Sequence, residues 1–145
     1  MLFRSITPTS VAKVILGVAV AFGVVMVPQA HAAAVTCWGD YCSGQDPQAT
    51  HCADDAYTVA SAWDPNGAYL ELRWSPTCKT NWARVNGAPQ PSFWVKVVQP
   101  STGYTQWGNL GNGVNTWSRQ IYSPTRCVYA QYGGTFRATL TTTCV

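Results

Sequence analysis

The apolar and polar positions of the chain fall into two regimes. Residues 14–27 form one continuous apolar run, whereas from Tyr57 onward apolar and polar residues alternate in short stretches cut by Gly, Pro, Asn and Asp. A period of two is that of a strand with one buried face. It predicts strands over residues 57–63, 68–74, 82–86, 93–99, 104–107, 115–122, 127–132 and 136–143. Asp64-Pro65-Asn66-Gly67 joins the first two as a hairpin, because Pro fixes one turn dihedral and Gly tolerates a positive φ. In the first strand the alternation puts Tyr57, Val59, Ser61 and Trp63 on one side. Short strands with frequent turn signals predict a mainly β fold, a small antiparallel β-sandwich or barrel. Ahead of them, Asp46-Pro47 reads as an N-cap and first helical residue, which predicts a short helical turn running through Cys52 to Ala56.

The amino-terminal run has a different purpose. Arg4 and Lys13 are the only charges before Asp40, and the run itself is too short to span a bilayer as a stable helix. It is followed by Pro28-Gln29-Ala30-His31-Ala32, which ends in an Ala-x-Ala cleavage signal. The expectation is a signal peptide over residues 1–32, cut after Ala32, and one secreted domain over 33–145. No second apolar stretch follows, so no membrane association is expected after cleavage.

Export changes the reading of the cysteines. Cys37, Cys42, Cys52, Cys78, Cys127 and Cys144 all lie in the mature part, where an oxidising compartment makes them a disulfide framework. Their spacing lacks the paired C-x2-4-C pattern of a structural metal site, and no metal or cofactor is expected. Cys127 and Cys144 flank a candidate hairpin and are expected to pair, which contributes roughly 3 kcal/mol in the chain-entropy model. The other four would pair among themselves and pin the irregular amino-terminal segment onto the sheet. Beyond Ala32 there are only 16 Leu, Ile, Val and Phe residues against 14 Trp and Tyr. That ratio predicts a core built from aromatic rings and disulfides. The near-balance of seven basic and six acidic residues in the same stretch excludes a strongly basic nucleic-acid binder.

Candidate chemistry is sparse. All six acids (Asp40, Asp46, Asp54, Asp55, Asp64, Glu71) precede all seven bases of the mature part, an order that fits a basic face for a polyanion or two halves that offset each other. Asp64 and Glu71 sit on candidate strands, but Asp64 is used by its turn, so the opposed carboxylates of a glycosidase are not evident. His51 is the one mature His, and no nucleophile-elbow pattern surrounds a Ser. Rings near turns are the stronger signal: Trp38 and Tyr41 in the amino-terminal loop, and Tyr104 and Trp107 in Tyr104-Thr105-Gln106-Trp107-Gly108-Asn109, where rings and amides share a Gly-rich edge. One echo recurs, Trp74-Ser75-Pro76-Thr77-Cys78 with Tyr122-Ser123-Pro124-Thr125-Arg126-Cys127. It fits either a duplicated half-motif or ordinary reuse of turn chemistry.

Four segments together resemble the YjfA-like family, domain of unknown function 2690: Cys42-Ser43-Gly44-Gln45-Asp46-Pro47, Cys52-Ala53-Asp54-Asp55-Ala56, Leu70 to Cys78, and Asn81-Trp82-Ala83-Arg84-Val85. The resemblance spans about Cys37 to Cys144. It implies a secreted, disulfide-stapled domain from an actinobacterium or another Gram-positive bacterium, and it brings no catalytic residues. What the family emphasises here (Asp46, Asp55, Arg73, Trp82, Arg84) fits a cap, a turn bond and buried ion pairing. The expected function is a non-enzymatic binding module, first as an interaction or adaptor component that joins another secreted protein. The alternative is a lectin-like domain for cell-wall polymer or other polysaccharide, and a small hydrolase using His51 comes third.

Overall fold

The computed structural model describes residues 33–88, 93–108, 110–111, 114–134 and 137–145. The chain divides into units of residues 1–30 and 31–145, and the fold below is that of the second. The expected signal peptide lies outside the described residues.

Among the described residues ten strands form two antiparallel sheets. Sheet 1 runs β1(Tyr57–Trp63), β2(Tyr69–Ser75), β3(Thr80–Asn86), β7(Thr116–Trp117), β6(Leu110–Gly111), and β8(Ile121–Tyr122) pairs with the other end of β3. Sheet 2 runs β10(Arg137–Thr141), β9(Tyr129–Gly134), β4(Phe93–Gln99), β5(Tyr104–Gly108). The mainly β class and the antiparallel sandwich stand as expected. A single stretch predicted over 115–122 is two short strands, separated where Ser118 donates its N–H to the Ala83 carbonyl at 2.9 Å and its hydroxyl accepts the Ala83 N–H at 3.0 Å. β6 was hidden by the glycines around it.

The helical turn sits earlier than predicted. A 3-10 turn covers Gly39–Cys42, while residues 46–55 make successive hydrogen-bonded turns. Asp46 does act as a cap-like acceptor, taking the Gln48 N–H at 2.9 Å, but it also takes the Trp117 indole N–H at 3.0 Å. His51 is therefore in a turn, at φ 61, and not on a helix. A bulge between Thr58 and Ala60 corrects the first strand: Tyr57 pairs with Trp74 on one face, and Trp63 pairs with Tyr69 on the other. The extra residue inverts the alternation.

Of the expected core of aromatic rings and disulfides, the disulfides form one buried cluster (Cys37, Cys42, Cys52 and Cys78), but the main core is aliphatic where rings were expected. Ala68, Leu70, Leu72, Ala83 and Val85 of sheet 1 meet Val95, Val97, Ala130 and Tyr132 of sheet 2, with Ile121 and Val128 alongside. Few aliphatics suffice because Leu70, Leu72, Val85, Val95, Val97, Ile121 and Val128 are all buried at this one interface; Tyr132 is the buried ring of the cluster, and Phe93 packs against it. Among the seven tryptophans only Trp82 is buried, at 2% exposure, and it lies on the opposite face of β3. There the amino-terminal segment covers the sheet. Gln120, fully buried, accepts from the Thr80 hydroxyl at 2.8 Å and donates to the Thr50 hydroxyl at 2.9 Å. The Asp55 carboxylate accepts from Ser75 at 2.7 Å and from the Thr77 N–H at 2.9 Å.

The three disulfides are Cys37–Cys42, Cys52–Cys78 and Cys127–Cys144, so the expected carboxy-terminal pair is present. The echoed Ser-Pro units differ in structure. Ser75 opens the hairpin between β2 and β3 within one sheet, whereas Ser123 begins the crossing from β8 in sheet 1 to β9 in sheet 2. They are reused turn chemistry, not halves of a duplicated barrel.

Gly108 closes the sandwich at one edge. A Cβ there would stand 2.7 Å from both Ser118 Cα and the Trp117 carbonyl oxygen, which are backbone atoms and cannot rotate away. Gly108→Ala is expected to lower stability by about 1–3 kcal/mol, the usual range for overpacking. Urea unfolding followed by tryptophan fluorescence measures it, and an unchanged midpoint would show that the two segments part freely.

Candidate binding face

Sheet 2 turns Val95, Val97, Tyr132 and Ala130 to the core, so strand alternation sends the intervening residues outward. On β4 these are Trp94, Lys96 and Val98. Across the register Lys96 faces Trp107 of β5 and Gln131 of β9, Trp94 faces Gly133, and Val98 faces Thr105 and Tyr129. Trp107 is 52% exposed, and Trp94, Lys96 and Gln131 are half-buried.

The two indoles stand edge to face, centroids 5.6 Å apart and planes at 68°. The Lys96 ammonium lies over both, 4.6 Å from the Trp107 centroid and 5.1 Å from that of Trp94. Each contact is a cation–π attraction of about 0.5–1 kcal/mol at an exposed site. Together they hold a flexible lysine in the corner between the rings. Gly133 makes this possible: a Cβ there would fall 2.5 Å from Trp94 Cζ2, so only a residue without a side chain lets the indole lie against β9. Beside the rings, Gln131 donates to the Thr141 hydroxyl at 3.1 Å. The result is a surface of ring faces, one fixed positive charge, an amide and hydroxyls.

The residues singled out from sequence do not gather in one place. Trp107 belongs to this face. Tyr104, three residues earlier on the same strand, points the other way and lines a cleft of about 790 Å³ with Tyr122, Arg126 and Asp40. Tyr41 lies in the 3-10 turn, 86% exposed, and Trp38 immediately precedes it, 68% exposed. Trp94 was missed because its strand reads as core, and its partnership with Trp107 depends on a register that spacing along the chain does not reveal.

The titratable groups are committed to structure. Glu71, 4% exposed, accepts from Arg84 Nε at 2.6 Å and Nη2 at 2.9 Å, from Asn86 Nδ2 at 2.6 Å and from the Thr58 hydroxyl at 2.5 Å. Arg73 Nη1 stands 3.7 Å away and donates to the Thr58 hydroxyl at 2.8 Å. Burial alone would raise the Glu71 carboxyl, but the hydrogen bonds from Arg84 and Thr58 and the charges of Arg84 and Arg73 outweigh it and hold it below its ordinary value. Burial likewise pushes Asp55 up, and its bonds from Ser75 and Thr77 bring it down further than that. His51 Nδ1 lies 3.3 Å from Asp54 Oδ2 near the surface. The Ser123 hydroxyl donates to the Arg126 carbonyl at 2.6 Å and accepts from Gln99 at 3.0 Å, so it is a turn anchor.

The four sulfurs of Cys37, Cys42, Cys52 and Cys78 lie within 4.8 Å of one another in a buried cluster, a convergence that their spacing did not reveal. They are held as two disulfides, and no free cysteine is present.

These features define a two-sheet antiparallel β-sandwich stapled by three disulfides, with a ring-bearing outer face on its four-stranded sheet. The chain belongs to the family described as protein of unknown function (DUF2690), which matches residues 40–124. That match ends in the loop before β9, so it takes in sheet 1 and the strands β4 and β5 that carry the two indoles. Comparison with curated proteins and with solved structures found no match. The disulfides fit an extracellular protein, and no helix among the described residues is long and apolar enough to cross a membrane.

Proposed function

We propose that the chain is a secreted, non-enzymatic binding module that holds a glycan polymer of a bacterial cell surface, or one met in the medium, against the outer face of sheet 2. Export by the amino-terminal signal segment, in an actinobacterium or related Gram-positive organism, completes this reading. The observation that carries it is the pairing of Trp94 and Trp107 side by side on an outward face, flanked by Gln131, Thr105 and Thr141. Indole faces stack on the C–H faces of sugar rings, and amides and hydroxyls answer the sugar hydroxyls. This geometry moves the polymer reading ahead of the adaptor reading. A protein partner stays as the second reading on a separate observation: on sheet 1, Trp63 at the end of the edge strand β1 is 67% exposed, and its ring lies 4.4 Å from that of Tyr69 on β2.

Trp107→Ala should leave the unfolding midpoint nearly unchanged and weaken retention on insoluble cell-wall polymer about thirtyfold, the effect of an aromatic hot spot. Trp63→Ala should leave that retention intact. Co-sedimentation of the oxidised protein with purified wall polymer measures both. If Trp63→Ala abolishes capture of a secreted protein while Trp107→Ala changes nothing, the adaptor reading replaces this one.

A further inference from the structure

We infer that the polymer is anionic, a glycan carrying carboxylates or phosphodiesters, and that Lys96 is the residue which selects for its charge. This deepens the function proposed above and rests on it. Three observations lead to it. First, the ammonium of Lys96 is held over two indoles, 4.6 and 5.1 Å from their centroids, so a positive charge is already in place at the rings. A lysine held in advance loses less freedom on binding than one that must be ordered by the ligand. Second, none of the six carboxylates of the chain forms an ion pair with Lys96. The π faces on which it rests carry no net charge, so the ammonium can still pair with an anion. Third, all acids lie between Asp40 and Glu71, in the amino-terminal segment, the turn between β1 and β2, and β2. The strands β4, β5, β9 and β10 contain Lys96 and Arg137 and no Asp or Glu. An anionic polymer lying along sheet 2 thus meets no repelling carboxylate from the sheet itself.

A flat sheet face with rings favours a sugar chain over an acidic peptide. An extended peptide gains its affinity from main-chain hydrogen bonds at a sheet edge. Here Lys96 and Trp94 lie on the central strand β4, and Trp107, although on the edge strand β5, meets them on the face of the sheet and not along its edge. A sugar ring can stack on the Trp107 indole while its acidic group reaches Lys96, the residue directly across the strand pair.

Affinity electrophoresis of the oxidised full chain tests this, with polygalacturonate, a phosphodiester-linked phosphomannan, neutral dextran and poly-glutamate as the embedded polymers. The expected result is retardation by one or both anionic sugar-based polymers, weaker retardation by dextran, and a loss of binding between 50 and 500 mM NaCl. Lys96→Met keeps the apolar stem between the indoles and removes the charge; it should weaken anionic binding about two- to fivefold, and Lys96→Arg should restore most of it. Which of the two anionic polymers is held identifies carboxylate or phosphodiester as the recognised group. If dextran is held as well as the anionic polymers and Lys96→Met is silent, the charge selection is wrong while the glycan-binding face survives. Equal retardation by poly-glutamate would replace sugar recognition with charge alone and overturn the inference. No retardation by any polymer would remove the inference together with the function on which it rests.

Discussion

Replacing Glu71 by Ala is expected to destabilise the fold by about 3–5 kcal/mol, the range seen when one partner of a buried ion pair is removed. The reason is local. Glu71 is the one carboxylate among Arg73 and Arg84, and it lies on β2 directly opposite Arg84 of β3. Without it, two half-buried guanidiniums face each other with no negative charge between them. Arg73 Nε is already buried without a hydrogen-bond partner, so the cluster has little capacity to adjust. Against a typical total of about 5–15 kcal/mol for a small domain, a loss of this size moves the urea midpoint far down. Glu71→Gln, which keeps shape and most acceptors but not charge, should cost less than Glu71→Ala. Equal stability of wild type and Glu71→Ala in urea titration would mean that the arginines find water in place of the carboxylate.

The same residue sets a pH dependence. The folded Glu71 carboxyl lies below its ordinary value of 4.5, so the folded state binds its proton less readily than the unfolded chain does. Its contribution is therefore complete above the unfolded value and is lost as pH falls through the folded one. Asp55, also lowered from its ordinary 3.8, acts in the same direction at somewhat lower pH. Wild-type stability should fall on acidification below about pH 4.5, and Glu71→Gln should show a shallower fall over the same window.

How much of this was legible in the sequence depends on whether a feature is local. Strand positions were, because alternation and turn residues are local signals: the predicted 57–63 and 93–99 coincide with β1 and β4. The Asp64 to Gly67 hairpin was legible too, closed by a Gly67 N–H to Asp64 carbonyl bond of 2.9 Å. Features that depend on register were not. The bulge in β1 reversed which face Trp63 occupies, and nothing in Tyr57-Thr58-Val59-Ala60 announces it. Glu71 looked like the polar member of an alternating strand, and only the pairing with β3 shows it buried against Arg84. The core was misjudged because composition counts residues and ignores direction. Sixteen aliphatics and Phe are few, but sheet alternation points most of them to one interface, and the rings are left for the outer faces. Trp107 was legible as a ring beside a Gly; Trp94 and Lys96 became a site only across two strands.

The second large effect concerns the disulfide that fastens the amino-terminal segment. Cys52→Ala with Cys78→Ala is expected to cost about 3–5 kcal/mol. The sequence separation of 26 residues gives roughly 3.5 kcal/mol from chain entropy alone. A further cost comes from position. Cys52–Cys78 ties residues 33–56 to the β2–β3 turn, on the face where Trp82 is buried, and both cysteines are within the sulfur cluster. Loosening it also puts at risk the Thr50–Gln120 and Asp55–Ser75 bonds, whose partners come from the same two sides. The comparison is Cys127→Ala with Cys144→Ala. That bridge spans a similar separation of 17 residues, so the chain-entropy loss is nearly the same, roughly 3 kcal/mol. Its cysteines are exposed and near the carboxy terminus, where Val128 and Val145 still exchange two backbone hydrogen bonds. Both variants should therefore unfold at lower urea, but only the first should red-shift tryptophan emission in the folded baseline, as Trp82 meets water. Hydrogen exchange should likewise rise over residues 33–56 in the first variant and stay local to the carboxy terminus in the second. Identical folded-state emission in the two would mean that Gln120 and its neighbours hold the segment without the disulfide, and that the bridge acts on the unfolded chain alone.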